Sequence, residues 1–154
     1  MKLGEALALL KKEKGRLAKL VSLRKDNVYV EKGKKSPFDP NKLGIEINKK
    51  IENIRKLKIK IQKTNLNAKI EEEDLCIAET IIMVGDIRSK LAALSNLFTE
   101  KKDSFFRWRN KDEIERISQL DENKIDSEME ELENYKIKLD NQIQVANWKT
   151  ELID

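Results

Sequence analysis

The side chains with the strongest claim to chemistry in this sequence are its carboxylates, one thiol and one cluster of aromatics and cations. Glu73, Asp74, Glu128 and Glu131 are acids of the kind that hold hard metal ions through oxygen or act as a general acid and base. The chain has no histidine. That removes the usual general base near neutral pH, the triads built on it and the Glu-x-x-His pairing of helical metal centres. The four acids therefore read as caps and solvated helix faces, with no metal and no cofactor expected. Cys76 is the single cysteine, so it can form neither an internal disulfide nor a thiolate cage, and the acids beside it oppose thiolate formation. It reads as a structural thiol. The five glycines are scattered and make no phosphate-cradling motif. The chain is read as a non-enzyme.

Phe105, Phe106, Arg107, Trp108, Arg109 and Lys111 interleave aromatic and basic side chains, the combination that single-stranded nucleic acid uses for stacking and phosphate attraction. Arg107, Trp108, Arg109 and Lys111 are accordingly the candidate contacts for a nucleic acid or a partner protein. In the competing, favoured reading Phe105 and Trp108 anchor a connecting segment, and Arg107 and Arg109 pair with acids of the last helix.

The elements that would position these groups follow from composition and spacing. Charged residues make up 39% and aromatic residues 5% of the 154, with five Gly and two Pro, a profile of long helices with few tight turns. Leu3, Leu7, Leu10, Lys14, Leu17, Val21 and Arg24 step by four and three, a heptad seam. Val28, Tyr29 and Val30 read as a short strand, and Gly33, Ser36 and Pro37 as a loop. Asp39 and Pro40 open a second helix as cap and first residue, carried on Leu43, Ile47, Ile51, Ile54, Lys58 and Ile61. The acids at positions 71–74 suit the start of a third helix, because carboxylates interact favourably with its exposed amides. Ile77, Ile81, Val84, Leu91, Leu94 and Phe98 continue it. Asp121 caps a fourth helix on Ile125, Met129, Leu132, Lys136, Leu139, Ile143 and Ala146, and Trp148, Leu152 and Ile153 form an apolar tail that should dock. Each seam has a cation at a core-like position: Lys14, Lys58, Arg88 and Lys136. Either these residues set register or the assumed frame is one position off and they snorkel to water.

The expected fold is mainly all-α: antiparallel long-helix hairpins in a coiled-coil-like bundle of four helices, with a small irregular or β element near 103–119. One helical domain spans 1–154, with helices at about 2–27, 40–64, 72–102 and 121–146. Residues 1–27 and 39–65 each carry eight Lys or Arg against three acids, while residues 121–146 carry eight acids against three Lys. The last helix is thus a natural neighbour for the first two. No stretch is long and apolar enough to cross a bilayer, no signal peptide is recognised, and one cysteine suits a reducing compartment, so the cytoplasm is expected.

Met1, Leu3, Glu5, Ala6 and Leu7 at the start, the pair Thr64 and Asn65, the segment 107–117, and Ala146, Asn147, Trp148, Thr150, Glu151 and Leu152 at the end resemble a family of small uncharacterised bacterial proteins often labelled septicolysin. The resemblance covers nearly the full length. It implies a helical, coiled-coil-like homo-oligomer without an established activity. Glu5, Asn65, Asn147, Trp148, Thr150 and Glu151 are then a polar cluster at helix ends, read as structural: backbone groups there need partners, and the cluster would bring both chain ends to the turn after the second helix. The resulting reading is a non-catalytic oligomeric scaffold or protein-interaction module whose first partner is itself. Nucleic-acid binding through residues 105–111 is the alternative, and a cytolysin, as the family label suggests, is third.

Overall fold

A computed structural model of the chain describes residues 1–71, 74–98 and 116–153. They form α1 (Leu3–Asp26), α2 (Pro40–Asn67), α3 (Ile77–Ser95) and α4 (Glu122–Lys149). The only strand-like pairing among the described residues is two isolated bridges, so the fold is all-α. Residues 103–115 of the expected irregular or β element lie outside the described residues, and 116–118 have no regular structure. The chain divides into two compact units, Met1–Ala78 with Gln144–Asp154 and Glu79–Ile143.

The first unit contains the hairpin of α1 and α2. The Glu5 carboxylate accepts from the Lys2 backbone N–H at 2.8 Å, occupying one of the amides left over at a helix start. At the other end Asn27 Nδ2 donates to the Leu23 carbonyl at 2.7 Å, and its Oδ1 accepts from Ser36 Oγ at 2.6 Å, fastening the loop to the helix it leaves. Gly33 adopts φ 85° in the turn closed by Lys34 N–H on the Glu31 carbonyl, a conformation that disfavours side chains with a Cβ. Val28–Val30 form no strand and are exposed; among the described residues no segment pairs with them, so their β preference has nothing to act on. Asp39 Oδ1 accepts from Asn41 N–H at 2.8 Å and Pro40 opens α2, as capping chemistry requires.

The contact columns of the hairpin differ from the expected seams at alternate positions. On α1 the less exposed stripe is Leu3, Ala6, Leu10, Glu13, Leu17 and Leu20; Leu3, Leu10 and Leu17 match the expected seam, while Ala6, Glu13 and Leu20 replace Leu7, Lys14 and Val21. On α2 it is Ile47, Lys50, Ile54, Leu57, Ile61 and Thr64, with Lys50 and Leu57 in place of Ile51 and Lys58. Electrostatics explains the choice. In the observed frame the two charged members have opposite sign and meet, Lys50 Nζ to Glu13 at 2.7 Å, whereas the expected frame would turn the cations Lys14 and Lys58 inward together. Lys14 and Lys58 are exposed instead, as snorkelling predicts.

After α2, residues 68–70 pair with 75–77 through Ile70 N–H on the Leu75 carbonyl and Ile77 N–H on the Ala68 carbonyl, both 2.9 Å, with Lys69 bridging to Cys76. These bonds delay the helix, so α3 begins at Ile77 and not near 72. Ile70 and Ile77 are buried there.

In the second unit, Val84, Ile87 and Leu91 of α3 surround Leu139 of α4, with Met83, Met129, Leu132, Tyr135 and Ile143 packed against them. Lys90 Nζ reaches Glu128 at 2.7 Å and Tyr135 Oη donates to Met83 Sδ at 3.4 Å; advancing along α3 means retreating along α4, so these stretches are antiparallel. Arg88 is exposed near Asp140, not in the core. α3 stops at Ser95, short of 102, where Ser95 Oγ and Asn96 Nδ2 both donate to the Ala92 carbonyl, local bonds that compete with helix continuation. Asp121 Oδ1 caps α4 through Asn123 N–H at 3.0 Å. The helix runs to Lys149, so Trp148 lies on its last turn instead of in a tail.

Candidate functional site

Two places in the first unit gather polar or apolar groups beyond what a hairpin needs. One is the junction of the chain ends. Leu3 N–H donates to the Thr150 carbonyl and Leu152 N–H to the Met1 carbonyl, both at 2.9 Å, so the segment after α4 lies antiparallel to the start of α1. Glu151 accepts from Lys2 Nζ at 2.7 Å and from the Met1 ammonium at 3.1 Å. The Lys2 hydrogen bond, aided by the Met1 ammonium, holds its carboxyl below the ordinary glutamate range. Lys2 Nζ also donates to the Lys149 carbonyl at 3.0 Å, filling an acceptor at the end of α4. Gly4 lies under Trp148: a Cβ there would stand 3.1 Å from the indole ring, closer than ordinary contact. Thr64, fully buried, donates through Oγ1 to the Lys60 carbonyl at 2.8 Å and accepts from Ile153 N–H at 3.0 Å. Asn65 and Asn147 are buried here as well.

Glu5, Asn65, Asn147, Trp148, Thr150 and Glu151 therefore occupy this junction or the helix ends beside it. Thr64 and Lys2 belong with them. Thr64 ends the buried column of α2, where its hydroxyl must find a partner; the signal for Lys2 was a cation three residues before Glu5 at a helix start. Lys149 adds a contact to Glu71 at 2.7 Å. These bonds fix the chain ends.

The second place is the outer flank of the hairpin. The frame adopted by α1 and α2 leaves Leu7, Val21 and Ile51 at 37%, 50% and 46% exposure. Leu10, Lys14, Lys58, Ile59, Gln62 and Leu66 line an open groove of about 450 Å³ on this flank, together with Lys63. Ile59 and Leu66 are 49% and 64% exposed. The groove is an apolar floor rimmed by ammonium groups.

The other candidates are dispersed. Asp74 pairs with Lys69, whose hydrogen bond lowers its pKa; Glu128 pairs with Lys90; Glu131 is exposed on α4; Glu73 lies outside the described residues. Among the described residues no group of three or more His, Cys, Asp or Glu could hold a metal ion. Cys76 is half-buried in the turn before α3. Arg107, Trp108, Arg109 and Lys111 lie outside the described residues. No helix among the described residues is long and apolar enough to cross a membrane.

Comparison with solved structures finds a likeness to a crystal structure of a functionally unknown conserved protein from Corynebacterium diphtheriae, 24% identical, with a TM-score of 0.80 over 99% of each chain. At that identity the likeness speaks for the fold. The comparison with curated proteins returned no match. The family model that matches is described as a family of unknown function, DUF6847, over residues 11–152. That description carries no septicolysin label and no activity. The match takes in α2, α3 and α4, most of α1 and the closing segment that meets it, so the chain belongs to this family of unknown function.

Proposed function

We propose that this chain is a non-catalytic helical interaction module that works as a homo-oligomer. The observation that supports the reading is the apolar flank of the α1–α2 hairpin, where Leu7, Val21, Ile51, Ile59 and Leu66 are left in water. Exposed apolar groups beside cations, as where Ile59 and Leu66 share a groove with Lys14, Lys58 and Lys63, suit an association surface. Each fully covered Leu or Ile side chain contributes about 1.5–3 kcal/mol, so a few of them outweigh much of the cost of association. The bonds at the chain ends serve this role by stiffening the hairpin that displays the flank, since a pre-ordered surface loses less entropy on binding. The cytoplasm is the proposed location, in keeping with a lone, half-buried thiol.

Light scattering across micromolar concentrations tests the reading. A mass of two or more chains is expected. A monomer that shifts single-stranded DNA or RNA in a gel would instead favour the 105–111 segment as the functional element, and release of a dye from liposomes would favour lysis.

A further inference from the structure

Building on the oligomeric reading, we propose that the groove on the α1–α2 hairpin receives the acidic outer face of α4 from a second copy of this chain. Residues 39–65 carry eight Lys or Arg against three acids, and residues 121–146 carry eight acids against three Lys. The excess is concentrated where a contact could use it. Lys14, Lys58 and Lys63 surround the groove and are exposed. None of the ion pairs among the described residues involves them. On α4 the positions 126, 130, 133 and 137 repeat at the spacing that places them on one helix face, and they are Asp126, Glu130, Glu133 and Ile137. All four are exposed, and this face points away from Leu132 and Leu139, which pack into the core of the second unit. Glu133 is held by Lys136 at 2.8 Å, while Asp126 and Glu130 take part in no ion pair among the described residues.

Both surfaces combine exposed apolar with charged side chains, of opposite sign. Ile59 and Leu66 stand seven residues apart on α2 with Lys58 and Lys63 beside them; Glu130 and Ile137 stand seven apart on α4, with Asp126 one turn before. Ile137, 52% exposed, is the apolar residue of this face suited to the apolar floor, and Glu130 and Glu133 within two turns of it supply carboxylates for the lysines of the rim. An amphipathic helix entering a groove through one anchor flanked by charges is a familiar mode of recognition. An anionic lipid surface would satisfy the lysines as well, and is told apart by the vesicle arm of the test.

The test is sedimentation equilibrium of the full chain with charge reversals. Lys58→Glu with Lys63→Glu, and separately Asp126→Lys with Glu130→Lys, are each expected to weaken association about tenfold or more; the four changes combined in one chain should restore it to within about threefold. Raising the salt should weaken the unaltered protein and leave the neutral pair Lys58→Gln with Lys63→Gln less responsive. All these positions are exposed, and far-UV circular dichroism checks that helicity is kept. A multimer that neither reversal disturbs, or that the combination fails to restore, overturns this pairing while the oligomeric reading stands. A monomer at every concentration removes both, and a monomer that binds anionic vesicles through Lys58 and Lys63 assigns the groove to lipid.

Discussion

Replacing Thr64 by valine removes one hydroxyl and keeps the volume of a side chain that is fully buried, so the change carries no cavity term. The hydroxyl has two partners. The Lys60 carbonyl, 2.8 Å away, sits within α2 and keeps its helical bond, so losing the extra donor there costs little. The Ile153 N–H, 3.0 Å from Oγ1, loses its acceptor in a partly buried place, at a cost of about 1–2 kcal/mol. The neighbouring bonds of Leu3 and Leu152 keep the segment in place, so the loss should be felt first at Ile153. Urea unfolding should show the stability deficit. Hydrogen exchange should show the Ile153 amide about tenfold less protected, one decade being about 1.4 kcal/mol. Thr64→Ser keeps both bonds and gives up a buried methyl, so it should lose about 1 kcal/mol while leaving Ile153 protected. A valine variant as stable as the parent, with Ile153 exchanging at the parent's rate, would refute the view that this hydroxyl ties the chain end to α2.

Leu139→Ala empties the centre of the second unit, where Leu139 is fully buried, and should cost about 2–5 kcal/mol in urea unfolding. Gly15→Ala places a methyl in open space in the middle of α1 and should stabilise by about 0.5–1 kcal/mol; Gly4→Ala, which presses on the Trp148 ring, should show a smaller gain or a loss in the same thermal melts. The Glu151 carboxyl, held low by Lys2 and the Met1 ammonium, and that of Glu13, held low by Lys50 and then Arg16 against the effect of desolvation, give stability that is present above the ordinary glutamate value of about 4.3. That stability is lost as pH falls through the lower folded value, since the unfolded chain then binds more protons. Thermal melts should therefore decline on acidification below about pH 4, and Glu151→Gln should flatten part of that decline.

The helices were legible in the sequence because their signals are local: Asp39 with Pro40, Asp121 and the apolar repeats define α1, α2 and α4 to within a turn at their N-termini. The face each helix turns inward was not. Apolar spacing alone favours Leu7, Lys14 and Val21 over Ala6, Glu13 and Leu20, and the choice depends on Glu13 meeting Lys50, thirty-seven residues away. The start of α3 was misjudged for a similar reason. Four consecutive acids favour a helix start locally, but the backbone bonds between Ala68 and Ile77 and between Ile70 and Leu75 pair the residues on either side, and α3 begins at Ile77. The polar residues of the chain ends were recognisable as a group by resemblance, with Thr64 named beside Asn65, while the bonds that Thr64 and Lys2 make there depend on contacts between distant parts of the chain. The groove was not read, because Ile59 and Leu66 lie outside both the expected and the observed columns and become neighbours of Leu10 and Lys14 only when α1 and α2 pair.

The central claim is that this groove is an interface between copies. Sedimentation equilibrium of the unaltered chain at low salt, over a micromolar concentration range, measures it most directly. A mass of at least two chains that falls toward one when Ile59→Lys and Leu66→Lys are introduced is the predicted result. A single-chain mass throughout, or a multimer indifferent to those two changes, would contradict the account.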